Sequence, residues 1–464
     1  MAFDVPTTRG YYTSLSDGWT YLNGGERAQI PERVLSAMST SFRAAPKSLP
    51  GEAASGTHSR GREAGLTAGD QFAAMARRAF ADVAGARVEG VVLGPSRHAL
   101  VHQLMQGMSR RLSLGTGLVL CRTGDPVAQV PFRRAADMYG ARVRCAEADL
   151  STGAVPAWQF DELVDADTRL VVVPAADPHV GTIAPVAEIS RRVHANSRAL
   201  VFVDASAHAP YRVVDMHDMG ADIVLLDASA WGGPEVSALV FRDPSLLDRL
   251  TSIALVPGAR GRDRLEVTPV APSLLGGVSE SVRLLADLDT AGRGTRRHRI
   301  ESSMPQVGRY LSTLTTRLIE ALGNLDQVHI LGVDGDGDGP DGLASGGGVR
   351  ESSRGGSGTG SRSGSGASFD SGSDSVEATG DRGGDGPIDR VPRVSFLVAG
   401  VPAPTVVRRL LDNDLVTSAV LPGESALLES MGVMDAGGAV TVGLQPFNTP
   451  HDVDQLVRAV ASLG

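Results

Sequence analysis

DASAWGGPEV, Asp227–Val236, closes the apolar run that starts at Ile223, and its composition bears on the whole chain. The preceding IVLLD is almost continuously apolar and branched, as a strand buried on both faces requires. Gly232, Gly233 and Pro234 then mark a tight turn. The turn holds no amine. Lys47, in the loop RAAPKSLP, is the single lysine among 44 basic residues, the other 43 being arginine. A guanidinium stays protonated and serves as a fixed charge, whereas a desolvated lysine can form a Schiff base. Lys47 itself reads as a solvated loop charge.

Outward from this turn, VVLG, GLVLC, RLVVVPA, ALVFVDA and SALVFRD repeat the buried-strand pattern, and ALVHQLMQGMSRRL and VAEISRRVHA have apolar residues at helical spacing. The alternation predicts an α/β fold with a mostly parallel sheet flanked by helices and a smaller C-terminal α/β domain. The expected organisation is an N-terminal segment 1–30, a large domain 31–275, bridging helices and the start of the small domain over 276–332, an insertion 333–390, and the small domain 391–464. The insertion is rich in Gly, Ser and Asp and has few large apolar side chains, so disorder is expected there. Its DGDGDG start at Asp334 resembles a calcium loop, but Ser345 stands where a bidentate Glu belongs, and no metal site is expected.

A net charge of −9 offers no basic face for nucleic acid. The start MAFDVPTTRGYYTSLSDG lacks the basic and apolar regions of an export signal, and no run of about 18 apolar residues occurs. A cytoplasmic protein with no membrane partner is expected, its two cysteines, Cys121 and Cys145, reduced.

Together the segments resemble the class V aminotransferase and cysteine desulfurase family, pyridoxal-phosphate (PLP) enzymes of fold type I. FDVPTTRGYY and YLNGGERAQIP are similar to the family's opening. ALVFVDASAHAPYRVVDMHDMGADIVLLDASAWGGP follows its strand, acidic residue, GAD and lysine-turn order, and VTVGLQPFNTPHDVDQLVRAV its final strand and helix. The resemblance covers nearly the whole chain and implies the fold type I architecture.

Carried over position by position, the resemblance places Ala230 where the family's PLP-binding lysine stands, and a methyl group forms no imine. His98 falls near the phosphate-binding Thr or Ser, Asp125 near the ring-stacking His, and Pro178 at an Asn that bonds the cofactor. Ala207 takes the place of a His or Gln, with His208 one residue on. Thr441 replaces the arginine that clamps the substrate carboxylate, and the Gly-Thr supplied by a neighbouring subunit falls near Thr268 and Pro269. Asp204 matches the aspartate that pairs with the pyridine nitrogen; a structural role, pairing an arginine or capping a backbone, is the competing reading. No cysteine follows Cys145 to carry sulfur.

The expectation is therefore a catalytically degenerate member with no catalytic residue and no cofactor, or PLP if the family activity persists. Asp204, His208, His98 and Thr268 are its vestigial cofactor-site candidates. It would act as a regulatory or partner subunit or a ligand-binding protein, as a homodimer or a heterodimer with an active relative. The alternative is a noncovalent PLP-dependent transferase or lyase with His208 or His179 as base. A dinucleotide-binding oxidoreductase is set aside, since VVLGPSRHAL has only Gly94 before its helix.

Overall fold

A computed structural model describes residues 3–51, 65–333 and 389–463. The expected disorder of 333–390 and its calcium-like start fall almost wholly outside the described residues.

Thirteen strands occur in the described residues: β1 Thr20–Tyr21, β2 Val91–Gly94, β3 Gly117–Cys121, β4 Arg142–Ala146, β5 Thr168–Pro174, β6 Leu200–Asp204, β7 Ile223–Asp227, β8 Ser237–Phe241, β9 Val328–Ile330, β10 Arg393–Val398, β11 Leu415–Val416, β12 Ser418–Val420 and β13 Ala439–Gly443. Seven form the main sheet in the order β2-β8-β7-β6-β5-β3-β4. β4, β3, β5, β6 and β7 are mutually parallel, while β8 runs antiparallel between β7 and β2. The sheet is mostly parallel, as the strand pattern predicts. β2, β3, β6 and β8 are buried at every residue. β4 differs: its arginines 142 and 144 lie at the sheet edge, where charge blocks further strand addition.

Helices Arg97–Gly107, Pro126–Tyr139 and Val186–Asn196 connect the strands, and helices Glu32–Ala44, Ala68–Ala84 and Pro272–Asp287 pack together. Burial of each large apolar side chain contributes roughly 1.5–3 kcal/mol before entropy is counted. Gly94 is required where β2 meets its helix, since a Cβ there would lie 2.5 Å from Leu100 Cγ. Ser96 caps that helix, its hydroxyl accepting from the Ala99 N–H at 3.2 Å.

A second sheet, ordered β12-β13-β10-β9, is antiparallel throughout and carries the helices Ala403–Leu411 and Pro450–Ala461. The long helix Arg296–Gly323 shares its apolar cluster. β1 pairs in parallel with β11, and Asn23 bridges to Gly443, which brings the N-terminal segment against this sheet.

Candidate functional site

The C-terminal ends of parallel strands collect exposed backbone and side chains at one edge of a sheet, which is where α/β proteins place their ligands. Here β5 ends at Pro174, β6 at Asp204 and β7 at Asp227, and the loop after β3 brings Asp125 to the same edge. These residues line a cavity of about 440 Å³ that Gly25 and Glu26, and Ser418 of the second sheet, also border.

Arg97, the first residue of its helix, reaches into this cavity. Its Nη2 lies 2.6 Å from Asp125 Oδ2, its Nε 3.3 Å from Asp227 Oδ2 and its Nη1 3.8 Å from Asp204 Oδ2. Burial alone would lower the guanidinium's pKa, yet the carboxylates of Asp204, Asp125 and Asp227 raise it above its ordinary value. Arg97 is thus a permanent cation. Burial pushes the Asp227 carboxyl up, partly offset by Arg97 and by the hydrogen bonds from Ser229. Those bonds, 3.1 Å from the Ser229 N–H and 2.8 Å from its hydroxyl, wind the chain into the short turn Ala228–Trp231. Gly232 ends it at φ +84°, a left-handed conformation that suits glycine.

Ala230 lines the cavity, so the methyl expected there borders open space. Trp231 does not fill that space. It is buried in the core, donating from Nε1 to Ser281 Oγ at 3.1 Å and packing edge-on to Phe80.

The other sequence candidates part company. Asp204 lines the cavity, accepts the Ser206 N–H at 3.0 Å and faces Arg97, which is an arginine-pairing environment. His179 also lines it; the ring is buried, its Nδ1 has no hydrogen-bond partner among the described residues, and Glu26 Oε1 lies 4.0 Å away. His208 lines a different cavity, with Pro185 and Met219. Burial and the nearby Arg212 push its imidazole down to about 4. His98 is exposed and stacks edge-on to His102, and Thr268 sits 2.5 Å from the Gln103 amide; neither lines the cavity. Thr441 is buried within the second sheet, its hydroxyl 2.8 Å from that of Ser395. Pro178 borders the cavity, while Asp177 before it closes the loop by accepting the His179 and Val180 N–H groups at 2.8 and 2.9 Å.

Two residues escaped sequence reasoning. Arg97 stands beside His98, and the signal for it was present: each of the runs VLCRTGD, LVFVD and IVLLD ends in an aspartate, so a cation was needed at that sheet edge. Arg393, at the start of β10, had no such signal, because the register that aims it at the cavity is a tertiary property. Among the described residues no group of three or more His, Cys, Asp or Glu could hold a metal.

Comparison with known proteins gives a consistent result. The family model "Aminotransferase class-V" matches residues 20–253. An uncharacterized protein of Mycobacterium tuberculosis, MT3887, is 36% identical over 464 residues, covering 100% of both chains. The crystal structure of the cysteine desulfurase CsdA from Escherichia coli matches with a TM-score of 0.73 at 17% identity, covering 99% of this chain and 98% of that one. A structure of a Lys-to-Ala variant of C-DES, with glycine covalently linked to its PLP cofactor, matches with a TM-score of 0.68 at 15% identity, covering 98% and 99%.

Proposed function

The chain belongs to the aminotransferase class-V family, and from that premise we propose that it is a cysteine desulfurase-like protein without Schiff-base catalysis, acting as a ligand-binding or regulatory partner subunit. The observation that carries this reading is Arg97 bound to Asp125, Asp204 and Asp227 inside the strand-end cavity. The absent lysine is the weaker argument, since a Lys-to-Ala variant of C-DES has glycine covalently linked to its PLP cofactor. The charge pattern is stronger. The residues of the cavity do not favour PLP: Ala230 offers no amine, and among the described residues the lining sets the carboxyls of Glu26, Asp125, Asp204, Asp227 and Glu424 against only the guanidiniums of Arg97 and Arg393, a negative surround for a phosphate. Asp204 Oδ2 faces the Arg97 guanidinium at 3.8 Å, so a pyridinium there would share the carboxylate with a standing cation.

The test is to incubate the purified chain with PLP, desalt it, and record its absorbance before and after borohydride, with Lys47→Arg as control. The reading expects no retained cofactor and no imine band. A borohydride-trapped adduct refutes it. Cofactor retained but not trapped favours the noncovalent enzyme, for which His179 and not His208 lines the cavity.

The remaining features of this reading are a separate C-terminal domain built on the second sheet, a cytoplasmic location and self-association. None of the described helices is long and apolar enough to cross a membrane. Self-association, as a homodimer or with an active relative, is supported by apolar side chains left in solvent, among them Leu255 at 96% exposure, Phe42 at 73% and Val256 at 71%.

A further inference from the structure

The helix Arg97–Gly107 starts at the strand-end cavity and finishes at the opposite edge of the main sheet, roughly 16 Å further on. There β5 and β7 begin and β8 ends. The helix Ser245–Arg249 finishes at the same edge, tied in by the Thr251 N–H donating to Gly107 O at 2.7 Å. Arg111 follows the first helix, Arg249 closes the second, and Arg169 stands at the start of β5. Arg111 is half-buried, yet among the described residues its guanidinium nitrogens are neither hydrogen-bonded nor sealed from solvent. Arg249 is exposed and makes no ion pair among the described residues. Burial, and after it Arg249 and Arg169, push the Arg111 pKa down, so the three guanidiniums lie close enough to act on one another. The counter-charge at hand is already used. Asp222 opposes that shift, but its Oδ1 accepts from Arg242, while its Oδ2 accepts the Val201 N–H at 2.9 Å and lies 3.0 Å from His194 Nε2. Asp243, on which Arg249 acts, takes the Ser245 N–H and hydroxyl and lies 3.8 Å from Arg87. Asp167 is shared between Arg169 at 3.9 Å and Arg142 at 4.0 Å. The carbonyls at a helix end offset only a fraction of one charge.

We propose that Arg111 and Arg249 bind a phosphate dianion, free or as the end of a monoester, at the edge of the main sheet opposite the strand-end cavity. The class of ligand follows from charge and shape. Two guanidiniums without an ion pair match two negative charges, and each fork presents parallel N–H donors to neighbouring phosphate oxygens. A monocarboxylate would leave one of the two charges unmet. Arg169 already donates to the Ala166 carbonyl at 2.8 Å, so it adds positive field rather than a contact. The Ser109 and Thr251 hydroxyls, 3.4 Å apart and close in sequence to Arg111 and Arg249, are further donors for the same ion.

The test is isothermal titration of the full chain at pH 8 and constant ionic strength with sodium phosphate and with ethyl phosphate, acetate serving as the monoanion arm. At least one phosphate is expected to bind saturably and at least tenfold more tightly than acetate, and the tighter of the two tells whether the site takes the free ion or the ester. Affinity should fall at least tenfold in Arg111→Gln and in Arg249→Gln; the second, at an exposed position, decides the matter if Arg111→Gln does not fold. In phosphate-free urea unfolding Arg249→Gln should raise the midpoint, because it relieves repulsion. Ala230→Leu, which narrows the cavity at the other edge, should leave phosphate affinity unchanged. No saturable binding, unchanged affinity in the folded variants, acetate binding as tightly, a lowered midpoint in Arg249→Gln, or affinity lost in Ala230→Leu overturns the proposal. Retention of PLP in the cavity bears on the function proposed above and leaves this site untouched.

Discussion

Arg97→Met removes the charge at the centre of the strand-end network and keeps most of the side chain's length. Three carboxylates, with side-chain exposures of 23%, 10% and 16% for Asp125, Asp204 and Asp227, are then left facing one another. At an effective dielectric of about 20, two unit charges about 4 Å apart interact by about 4 kcal/mol, but each ion pair has already repaid a desolvation cost. Breaking a buried pair by removing one partner costs about 3–5 kcal/mol; the open cavity places the expected loss near the lower figure, about 3 kcal/mol at pH 8. The pH dependence separates this from a packing defect. Asp227's folded pKa is raised by burial, so its contribution to stability is present below the unfolded value and is lost as pH rises through the folded one. Without Arg97 to offset that burial, the folded value rises further, and each additional unit adds about 1.4 kcal/mol to the deficit at alkaline pH relative to acid. Urea unfolding at pH 5 and pH 8 measures both quantities, and adding Asp227→Asn should recover part of the loss. A loss under about 1 kcal/mol at pH 8, or the same loss at both pH values, would show that the network does not hold the site together.

His208 gives a second pH test: burial and Arg212 push its folded pKa down to about 4 from the ordinary 6.5, so its stabilisation is present above about pH 6.5 and is lost as pH falls towards 4. The cost at the acid end is about 3 kcal/mol, and His208→Leu should flatten that limb of the urea-midpoint profile. Trp231→Ala removes a buried indole and the hydrogen bond to Ser281, so a loss of about 3–5 kcal/mol is expected in urea unfolding. Sedimentation velocity should find an assembly larger than one chain, and Leu255→Asp with Val256→Asp should shift it towards monomer without lowering the thermal midpoint of the isolated chain.

The strands were legible because a doubly buried strand leaves a continuous apolar run, and every residue of LVFVD and SALVF is buried. The turn at Asp227–Trp231 was legible too, through its glycines and its missing amine. What the chain did not disclose was pairing at a distance. Arg97 and its three aspartates come from four separate segments, and no local periodicity links them. His98 and Arg97 are neighbours in sequence, yet one side chain faces solvent and the other the cavity, because each helical residue turns by about 100° from the last. His208 missed the cavity for a similar reason, lying in the turn beyond β6 and bordering a different space.

The same pairing bears on how such a site can change. An aspartate at the end of each of β6 and β7, with a third after β3, would be costly without Arg97, and Arg97 would be costly without them. The four residues therefore form one electrostatic unit. A lysine introduced at 230 would add a cation beside that unit without displacing Arg97 from the three carboxylates. On the function proposed above, the obstacle to PLP binding therefore lies in this four-residue unit as a whole and not in residue 230 alone.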